Sequence, residues 1–221
     1  MTEIDRSGAP CPPAPHPPPM TLRRAVGAVL EAGVVLCLVA AVAVTALGVR
    51  GDGTSMAPTL HEGDRVLVAP GSAGRARRFD VVLLRGSAKD ALLVKRVIGL
   101  PGDRVAIVST PEEPFQVLLQ EGGRGPVRRV VATQWASQAH RTGACCGPDG
   151  TRSARSELRT VPEGAFFCLG ANPDLSDDSR AYGWGEIERI EGRVGVWAFP
   201  VSAAPDIGNR PAVEEYRGPS P

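Results

Sequence analysis

A serine stands in a stretch of small residues at positions 53–60, which reads Gly-Thr-Ser-Met-Ala-Pro-Thr-Leu. Gly53 allows backbone conformations that are closed to other residues, and Pro58 fixes its own φ angle. The loop can therefore be stiff without being a helix or a strand. A serine hydroxyl becomes a useful nucleophile once a base removes its proton, so Ser55 is a candidate nucleophile. The alternative is an ordinary Gly- and Pro-rich loop, in which serine is common.

A lysine lies inside the apolar run at residues 92–98, Leu-Leu-Val-Lys-Arg-Val-Ile. A strand that is buried on both faces rarely holds an ammonium group. Desolvation in such a strand would lower the pKa of Lys95 and make its amine a general base near neutral pH. The alternative places Lys95 and Arg96 at the end of an edge strand, where they point to water. Ser55 and Lys95 together would form a Ser–Lys pair, a known variant of the catalytic triad.

His61 offers another base, because it follows Ser55 by only six residues. No third residue that would orient its imidazole is evident in the sequence. The other histidines, His16 and His140, lie far apart in the chain, with no Cys/His spacing typical of zinc. We therefore predict neither a metal nor a cofactor.

An apolar stretch at residues 25–49 precedes the serine loop and is interrupted only by Glu31. The 18 consecutive residues from 32 to 49 carry no charge. At about 1.5 Å each they span about 27 Å, and flanking residues extend this to a bilayer core. A buried soluble helix would show a polar face, and a cleaved secretory signal would have a shorter apolar core. The stretch predicts a retained transmembrane helix.

The charges around this stretch predict its orientation. Arg6, Arg23 and Arg24 precede it, whereas Arg50 alone follows directly. This asymmetry favours the N-terminus in the cytoplasm. We therefore expect a single-pass protein of the plasma membrane, with everything after Arg50 outside the cytoplasm.

The rest of the chain reads as one mostly β domain with loose ends. Residues 1–24 form a Pro-rich cytoplasmic tail, and residues 203–221 a C-terminal tail. Between them, residues 50–202 hold short β-branched runs separated by turn signals, with a last strand at 192–199 and a helical turn at 184–187. Within this domain, residues 109–160 read as an irregular, variable insertion, with hairpins around 115–119 and 127–131. The 25 Lys+Arg against 24 Asp+Glu indicate no nucleic-acid partner.

Five cysteines in 221 residues do not make a disulfide scaffold. On the oxidising side of a membrane one disulfide is compatible with the sequence, between Cys168 and either Cys145 or Cys146. Neighbouring cysteines rarely bond each other, so we expect one of these thiols to stay free.

Four motifs follow the apolar stretch in order: Ser-Met-x-Pro-Thr-Leu, Gly-Asp-x-Val, Phe-Asp-Val-Val and Val-Lys-Arg-Val-Ile-Gly-Leu-Pro-Gly-Asp. In this order they resemble the successive boxes of bacterial type I signal peptidases, which are membrane-anchored Ser–Lys endopeptidases. The resemblance runs from the apolar stretch to about residue 108 and resumes over residues 164–196. It implies a signal peptidase-type β catalytic domain that follows one N-terminal transmembrane helix.

The resemblance assigns roles to the two candidate residues. Ser55 would be the nucleophile and Lys95 the general base, with the oxyanion held by the Ser55 backbone N–H. Some family members add a hydroxyl two residues before the nucleophile, where this chain has Gly53. Met56 would help to line a substrate pocket, and packing against the sheet is an equal alternative.

A later family motif matches the stretch at residues 170–183 in part. By this match Ser176 would orient the lysine amine, and Asp178 and Arg180 would form a supporting ion pair. Ala171 and Pro173 replace an Asp and an Arg of the family motif. These departures concern the support of the loop more than the Ser–Lys pair.

The implied function is removal of N-terminal signal peptides from exported preproteins, with a cut after small residues of Ala-x-Ala type. Signal peptides, the lipid bilayer and the secretion translocon are the implied partners. One alternative is a specialised maturation peptidase with few clients. Another is a weakly active paralogue that binds signal peptides, which the Ala171 and Pro173 departures and the Arg-rich insertion motivate. Retention of Ser55 and Lys95 argues against a pure binder.

Overall fold

A computed structural model describes residues 22–69, 71–86, 91–136, 144–199, 210–218 and 221. The chain divides into two compact units, Met1–Val42 and Ala43–Pro221. The helix α1, Leu22–Leu47, has 26 residues, and most of its large apolar side chains from Val26 to Val42 are at least half exposed. Among the described residues no helix has both the length and the apolar character needed to cross a membrane. Most of the Pro-rich tail lies outside the described residues.

The second unit is built mainly from short antiparallel strands, which confirms the mostly β prediction. The described strands are β1 (Val49–Arg50), β2 (Arg65–Val68), β3 (Val81–Arg85), β4 (Leu92–Gly99), β5 (Arg104–Val108), β6 (Gln116–Gln120), β7 (Arg128–Val131), β8 (Arg159–Thr160), β9 (Ala165–Leu169), β10 (Gly185–Glu186), β11 (Ile190–Phe199) and β12 (Ala212–Glu215). Two short helices, α2 (Thr133–Ala136) and α3 (Ser179–Tyr182), and 3-10 turns at Glu121–Gly123 and Ile187–Arg189 connect them.

The strands form two sheets. The seven-stranded sheet has the order β1-β2-β11-β3-β4-β9-β10, and the five-stranded sheet has the order β12-β7-β6-β5-β8. β-Branched and other apolar residues favour these strands because they pack well on a pleated surface. Thus β3 is buried from Val81 to Leu84, and β9 is buried along its whole length.

β4 occupies an interior position of the seven-stranded sheet, between β3 and β9. Val82 of β3 pairs with Lys95, and Leu169 of β9 pairs with the next residue, Arg96. Both side chains of this Lys-Arg dipeptide are buried. The alternative of an edge strand that points Lys95 to water is therefore wrong, because pairing on both sides covers the strand.

The stretch at residues 109–160 is more regular than predicted. The two hairpins expected around 115–119 and 127–131 are instead the two strands of a single hairpin, since β6 and β7 pair antiparallel. β6 also pairs with β5, and β8 completes that edge of the five-stranded sheet. The pairing of β8 with β5 was not predicted because the two strands are distant in sequence. The stretch is thus an integral part of a sheet.

The C-terminal region also departs from the prediction of a loose tail. Residues Ala212–Glu215 form β12, which pairs with β7 along the edge of the five-stranded sheet. The helical turn expected at 184–187 is not formed, because a short strand, β10, occupies Gly185–Glu186. Helical turns lie on either side of it, as α3 before it and the 3-10 turn Ile187–Arg189 after it. The last strand of the seven-stranded sheet, β11, includes the predicted 192–199 and begins at Ile190.

The disulfide joins a different pair from the one that the sequence left possible. Cys145 is bonded to its neighbour Cys146, and Cys168 is a buried free thiol, as expected for one of these three cysteines. Cys145 forms a β-bridge with Ile107 beside the five-stranded sheet, whereas Cys168 lies in β9 of the seven-stranded sheet. Among the described residues the two sites belong to separate apolar clusters.

Candidate active site

Ser55 lies in the loop that joins β1 to β2. The loop is closed by backbone hydrogen bonds from Gly51 N to Asp64 O at 2.8 Å and from Leu60 N to Met56 O at 2.8 Å. Gly53 has a φ of +114°, in a region that favours glycine. A serine or threonine at this position would be strained, which explains why the loop lacks the additional hydroxyl of some family members.

Lys95 reaches this loop from β4. A hydrogen bond of 2.7 Å joins Lys95 Nζ to Ser55 Oγ. The lysine is only 3% exposed, whereas Ser55 is partly exposed. The fold therefore brings together the two residues that are 40 positions apart in sequence, with the base buried and the hydroxyl accessible.

Burial lowers the pKa of Lys95 from its usual value near 10.5. Desolvation is the largest cause, and the nearby Cys168 and Asp178 oppose it in part. A lower pKa makes the neutral amine more accessible, and in that form Lys95 accepts the hydroxyl proton of Ser55 instead of donating to its oxygen. The arrangement has the geometry and the electrostatics of a nucleophile with its base.

The Ser55 backbone is held from the opposite side by the loop that follows β9. Asn172 N donates a hydrogen bond of 3.0 Å to Ser55 O. Gly170 lies so close that a Cβ there would approach Ser55 O to 2.5 Å and the Ser176 hydroxyl still more closely. The Ser55 N–H donates to no acceptor in the described part of the chain, so it is available to an oxyanion.

Asp178 and Arg180 form a fully buried ion pair. Arg180 Nε donates to Asp178 Oδ1, and Arg180 Nη2 donates to Asp178 Oδ2, each at 2.8 Å. The carboxylate also accepts from Gly170 N at 3.0 Å and, as the N-cap of α3, from Arg180 N at 3.1 Å. This network ties the loop after β9 to α3, because each oxygen of Asp178 serves two donors.

Ser176 lies next to this pair, and its side chain is buried. Its hydroxyl has no hydrogen-bond partner among the described residues, and its carbonyl accepts from Arg180 Nη2 at 3.3 Å. The hydrogen bond from Ser176 to the lysine amine that the family resemblance implied is therefore not formed in this arrangement, and the orienting role stays a prediction.

Two cavities adjoin Lys95. One of ≈ 60 Å³ is lined by Ser55, Met56, Leu83 and Val94 among others, and a cavity of this size suits a short side chain. The other, of ≈ 270 Å³, is lined by Cys168 and Asp177 among others. Met56 is 3% exposed and packs against Leu60 and Val66 as well. Both interpretations of Met56, pocket lining and core packing, fit its position.

The other candidates have different surroundings. His61 is exposed, and its Nδ1 lies 3.9 Å from Asp64 Oδ2. The base in contact with Ser55 is Lys95. Among the residues that the structure describes, no group of three or more His, Cys, Asp or Glu could hold a metal ion.

Several residues of the site were missed at the level of sequence. Cys168 lies near Lys95, and burial raises the pKa of its thiol to about 11. Gly170 contacts the loop that carries Ser55, and Trp135 Nε1 donates a hydrogen bond to Gly170 O. Nothing in the local sequence around Trp135 indicates its contact with Gly170, which lies 35 residues away.

Comparison with known proteins places this chain in a family. The family model described as signal peptidase, peptidase S26, matches residues 23–199. Signal peptidase I of Bacillus caldolyticus is 34% identical over 153 residues, which cover 67% of this chain and 77% of that protein. Signal peptidase IB of Staphylococcus aureus is 29% identical over 171 residues, which cover 76% and 85%.

A crystal structure of a signal peptidase I from Enterococcus faecalis matches with a TM-score of 0.40 and 25% identity, covering 55% of this chain and 97% of that one. The family match includes Ser55, Lys95 and the loop that follows β9, since all of them lie within residues 23–199. The chain belongs to the signal peptidase family, peptidase S26, and is a serine peptidase of the signal peptidase I type.

Proposed function

We propose that this protein removes N-terminal signal peptides from exported preproteins, with Ser55 as nucleophile and Lys95 as general base. The observation that carries the proposal is the 2.7 Å contact between Lys95 Nζ and Ser55 Oγ, with the amine buried. A buried amine whose nearby carboxylates do not compensate for its lost hydration is costly to a fold. Contact with a partly exposed hydroxyl is the arrangement expected of a base and its nucleophile.

The reaction follows from this pair. The neutral Lys95 amine takes the proton of the Ser55 hydroxyl as Oγ attacks the scissile carbonyl carbon. The oxyanion that forms lies against the Ser55 backbone N–H, and the lysine ammonium returns the proton to the leaving amine. Water then attacks the resulting ester, with Lys95 again as base, and releases the signal peptide and Ser55.

The substrate preference follows from the small cavity. A cavity of ≈ 60 Å³ beside Ser55 and Met56 supports a preference for short side chains such as that of alanine. We propose that the enzyme cuts after small residues of Ala-x-Ala type. An extended substrate would bind through main-chain hydrogen bonds and be selected by its side chains in such pockets.

Membrane anchoring is part of the proposal. Its support is the uncharged stretch from residue 32 to 49 and the exposed apolar side chains along α1. Arginines before the stretch favour a cytoplasmic N-terminus, with the catalytic domain outside the cytoplasm. The bilayer and the signal peptides that emerge from the translocon are then the natural partners.

The test is cleavage of a secretory preprotein with an Ala-x-Ala site by the full chain in detergent, with the cut located by mass spectrometry. Ser55→Ala and Lys95→Ala should each lower the rate at least 100-fold, since a general base alone contributes about 10²–10⁴. Ser109→Ala is the matched control, because Ser109 is exposed and directly follows β5, which does not contribute to the Ser55–Lys95 contact. It should cleave at the wild-type rate.

Cleavage by Ser55→Ala would remove the assignment of the nucleophile. Absence of cleavage by the wild type, tested on several preproteins, would instead favour a protein with few clients or one that only binds signal peptides. Trapping of substrates by the Ser55→Ala protein would then identify the clients.

A further inference from the structure

Gly170 directly follows β9 of the seven-stranded sheet and contacts the loop that carries Ser55. Its backbone approaches Ser55 O and the Ser176 hydroxyl so closely that no side chain fits. Asn172, two residues later, donates to the same Ser55 carbonyl at 3.0 Å. A shift of the chain at Gly170 must therefore move Ser55 or open a gap behind it.

Both backbone polar groups of Gly170 are engaged by side chains. Gly170 N donates to Asp178 Oδ2 at 3.0 Å, and Gly170 O accepts from Trp135 Nε1 at 3.2 Å. The first bond comes from the loop's own ion pair. The second crosses from α2, which belongs to the stretch at residues 109–160 for which the sequence indicated no role.

Trp135 is itself held in place. It is 4% exposed, and its ring meets Phe115 edge to face with centroids 5.4 Å apart. The guanidinium of Arg180 lies 5.3 Å from the centre of the same Phe115 ring. The indole therefore supports the loop in two ways, directly through Gly170 and through Phe115 and the Arg180–Asp178 pair.

We infer that Trp135 is a positioning residue of the active site, which acts through the Gly170 carbonyl to hold Ser55 at hydrogen-bond distance from Lys95. This inference rests on the proposed role of Ser55 as nucleophile. Trp135 lines neither cavity beside Lys95. Its loss should therefore affect the chemical step and leave substrate binding alone, because small displacements of reacting groups lower rates steeply.

The test compares Trp135→Phe with Leu119→Val in the full chain. Trp135→Phe retains an aromatic ring but removes the Nε1–H donor to Gly170 O and part of the buried indole. Leu119→Val is the control for lost buried volume, because Leu119 is 0% exposed in the same apolar cluster as Trp135 and lines neither cavity beside Lys95. We expect kcat for preprotein cleavage to fall at least fivefold in Trp135→Phe, with KM within twofold of wild type. Leu119→Val should keep both within twofold.

Urea unfolding of each variant separates positioning from folding. Equal unfolding midpoints for the two variants, together with the selective fall in kcat, support the inference. If Trp135→Phe does not fold, Phe115→Leu replaces it under the same criterion, because the edge-to-face contact orients the indole. An unchanged kcat in the folded variant, or a rise in KM that accounts for the loss, overturns the inference.

Ser55→Ala is measured alongside to keep the two proposals apart. A wild type that cleaves, a Ser55→Ala variant that does not and a Trp135→Phe variant with unchanged kcat would overturn only the role of Trp135. Cleavage by Ser55→Ala would overturn the proposed nucleophile, and with it the reason for positioning Ser55.

Discussion

Lys95 is buried although its side chain ordinarily carries a charge. Water is excluded from the ammonium, and the carboxylates that oppose the shift do not compensate for the lost hydration, so the pKa falls. A structural lysine would gain stability by reaching solvent, as most lysines do. Burial of this amine against Ser55 fits a lysine that acts as a base in its neutral form.

The pH dependence of cleavage follows from this shift. The neutral fraction of Lys95 increases as pH rises through its lowered pKa, so kcat/KM should increase with pH and reach a plateau below 10.5, the usual lysine value. Initial rates measured across a pH series on one preprotein would test this. A Lys95→Arg variant, cationic throughout the series, should stay inactive at every pH.

A rate that kept rising through pH 10.5 would show that the base has an unshifted pKa. In that case burial would not tune Lys95, and a different group would have to remove the Ser55 proton.

At the scale of elements, the loop after β9 connects the Ser55 loop to the rest of the fold. It is held by the Asp178–Arg180 pair, whose side chains are both 0% exposed, and by the indole of Trp135. A buried ion pair is weak evidence for stability, since desolvation offsets much of its attraction. Its two bonds to the loop, from Gly170 N to Asp178 Oδ2 and from Arg180 Nη2 to Ser176 O, in contrast, define one geometry of the site.

Gly170→Ala tests the closeness of this loop to Ser55. The added methyl would meet Ser55 O and Ser176, both part of the site, so we expect a fall in kcat of at least tenfold or a loss of stability of about 1–3 kcal/mol. Preprotein cleavage and urea unfolding would measure the two effects.

Gly147→Ala is the control for this substitution. A Cβ at Gly147 would have ordinary contacts, with its nearest neighbour at 3.4 Å. It should therefore leave both measurements close to wild type. Wild-type behaviour of Gly170→Ala would mean that the loop can withdraw from Ser55 without consequence.

At the scale of the whole chain, two compact units differ in the surface that they present. The residues of α1 carry exposed apolar side chains such as Leu30, Leu36 and Leu38, each at least 60% exposed. In the second unit such side chains are mostly buried in clusters around the two sheets. A segment with apolar residues on every side is expected to require a nonpolar environment.

This difference predicts membrane association of the full chain. After expression, the protein should remain in the membrane pellet through extraction at alkaline pH, which strips peripheral proteins, and should dissolve on addition of detergent. Replacement of Val34, Leu36 and Leu38 by Lys should release it, because charged residues in the centre of a span are unfavourable. Release of the wild type by alkaline extraction would contradict the anchor.

Part of the site could be read from the sequence alone. Ser55 stands out because it lies in a Gly- and Pro-rich loop and is followed, 40 residues later, by a lysine inside an apolar run. The ordered motifs around both residues resemble one family. The mostly β character followed from β-branched runs between turn signals. These signals are local, which is why a single sequence reveals them.

Other features depended on contacts between distant segments. The sequence left open whether Lys95 lies in an edge strand, and the structure excludes this because β3 and β9 pair with β4 on both sides. The charged composition of residues 109–160 gave no clear strand pattern, although these residues contribute strands to the five-stranded sheet. The contact from Trp135 to Gly170 joins positions 35 residues apart, a separation that carries no local pattern. The sequence by itself thus determined which groups could do the chemistry. Only the tertiary structure decided which of them are desolvated and adjacent, because burial and strand pairing are properties of the packed chain.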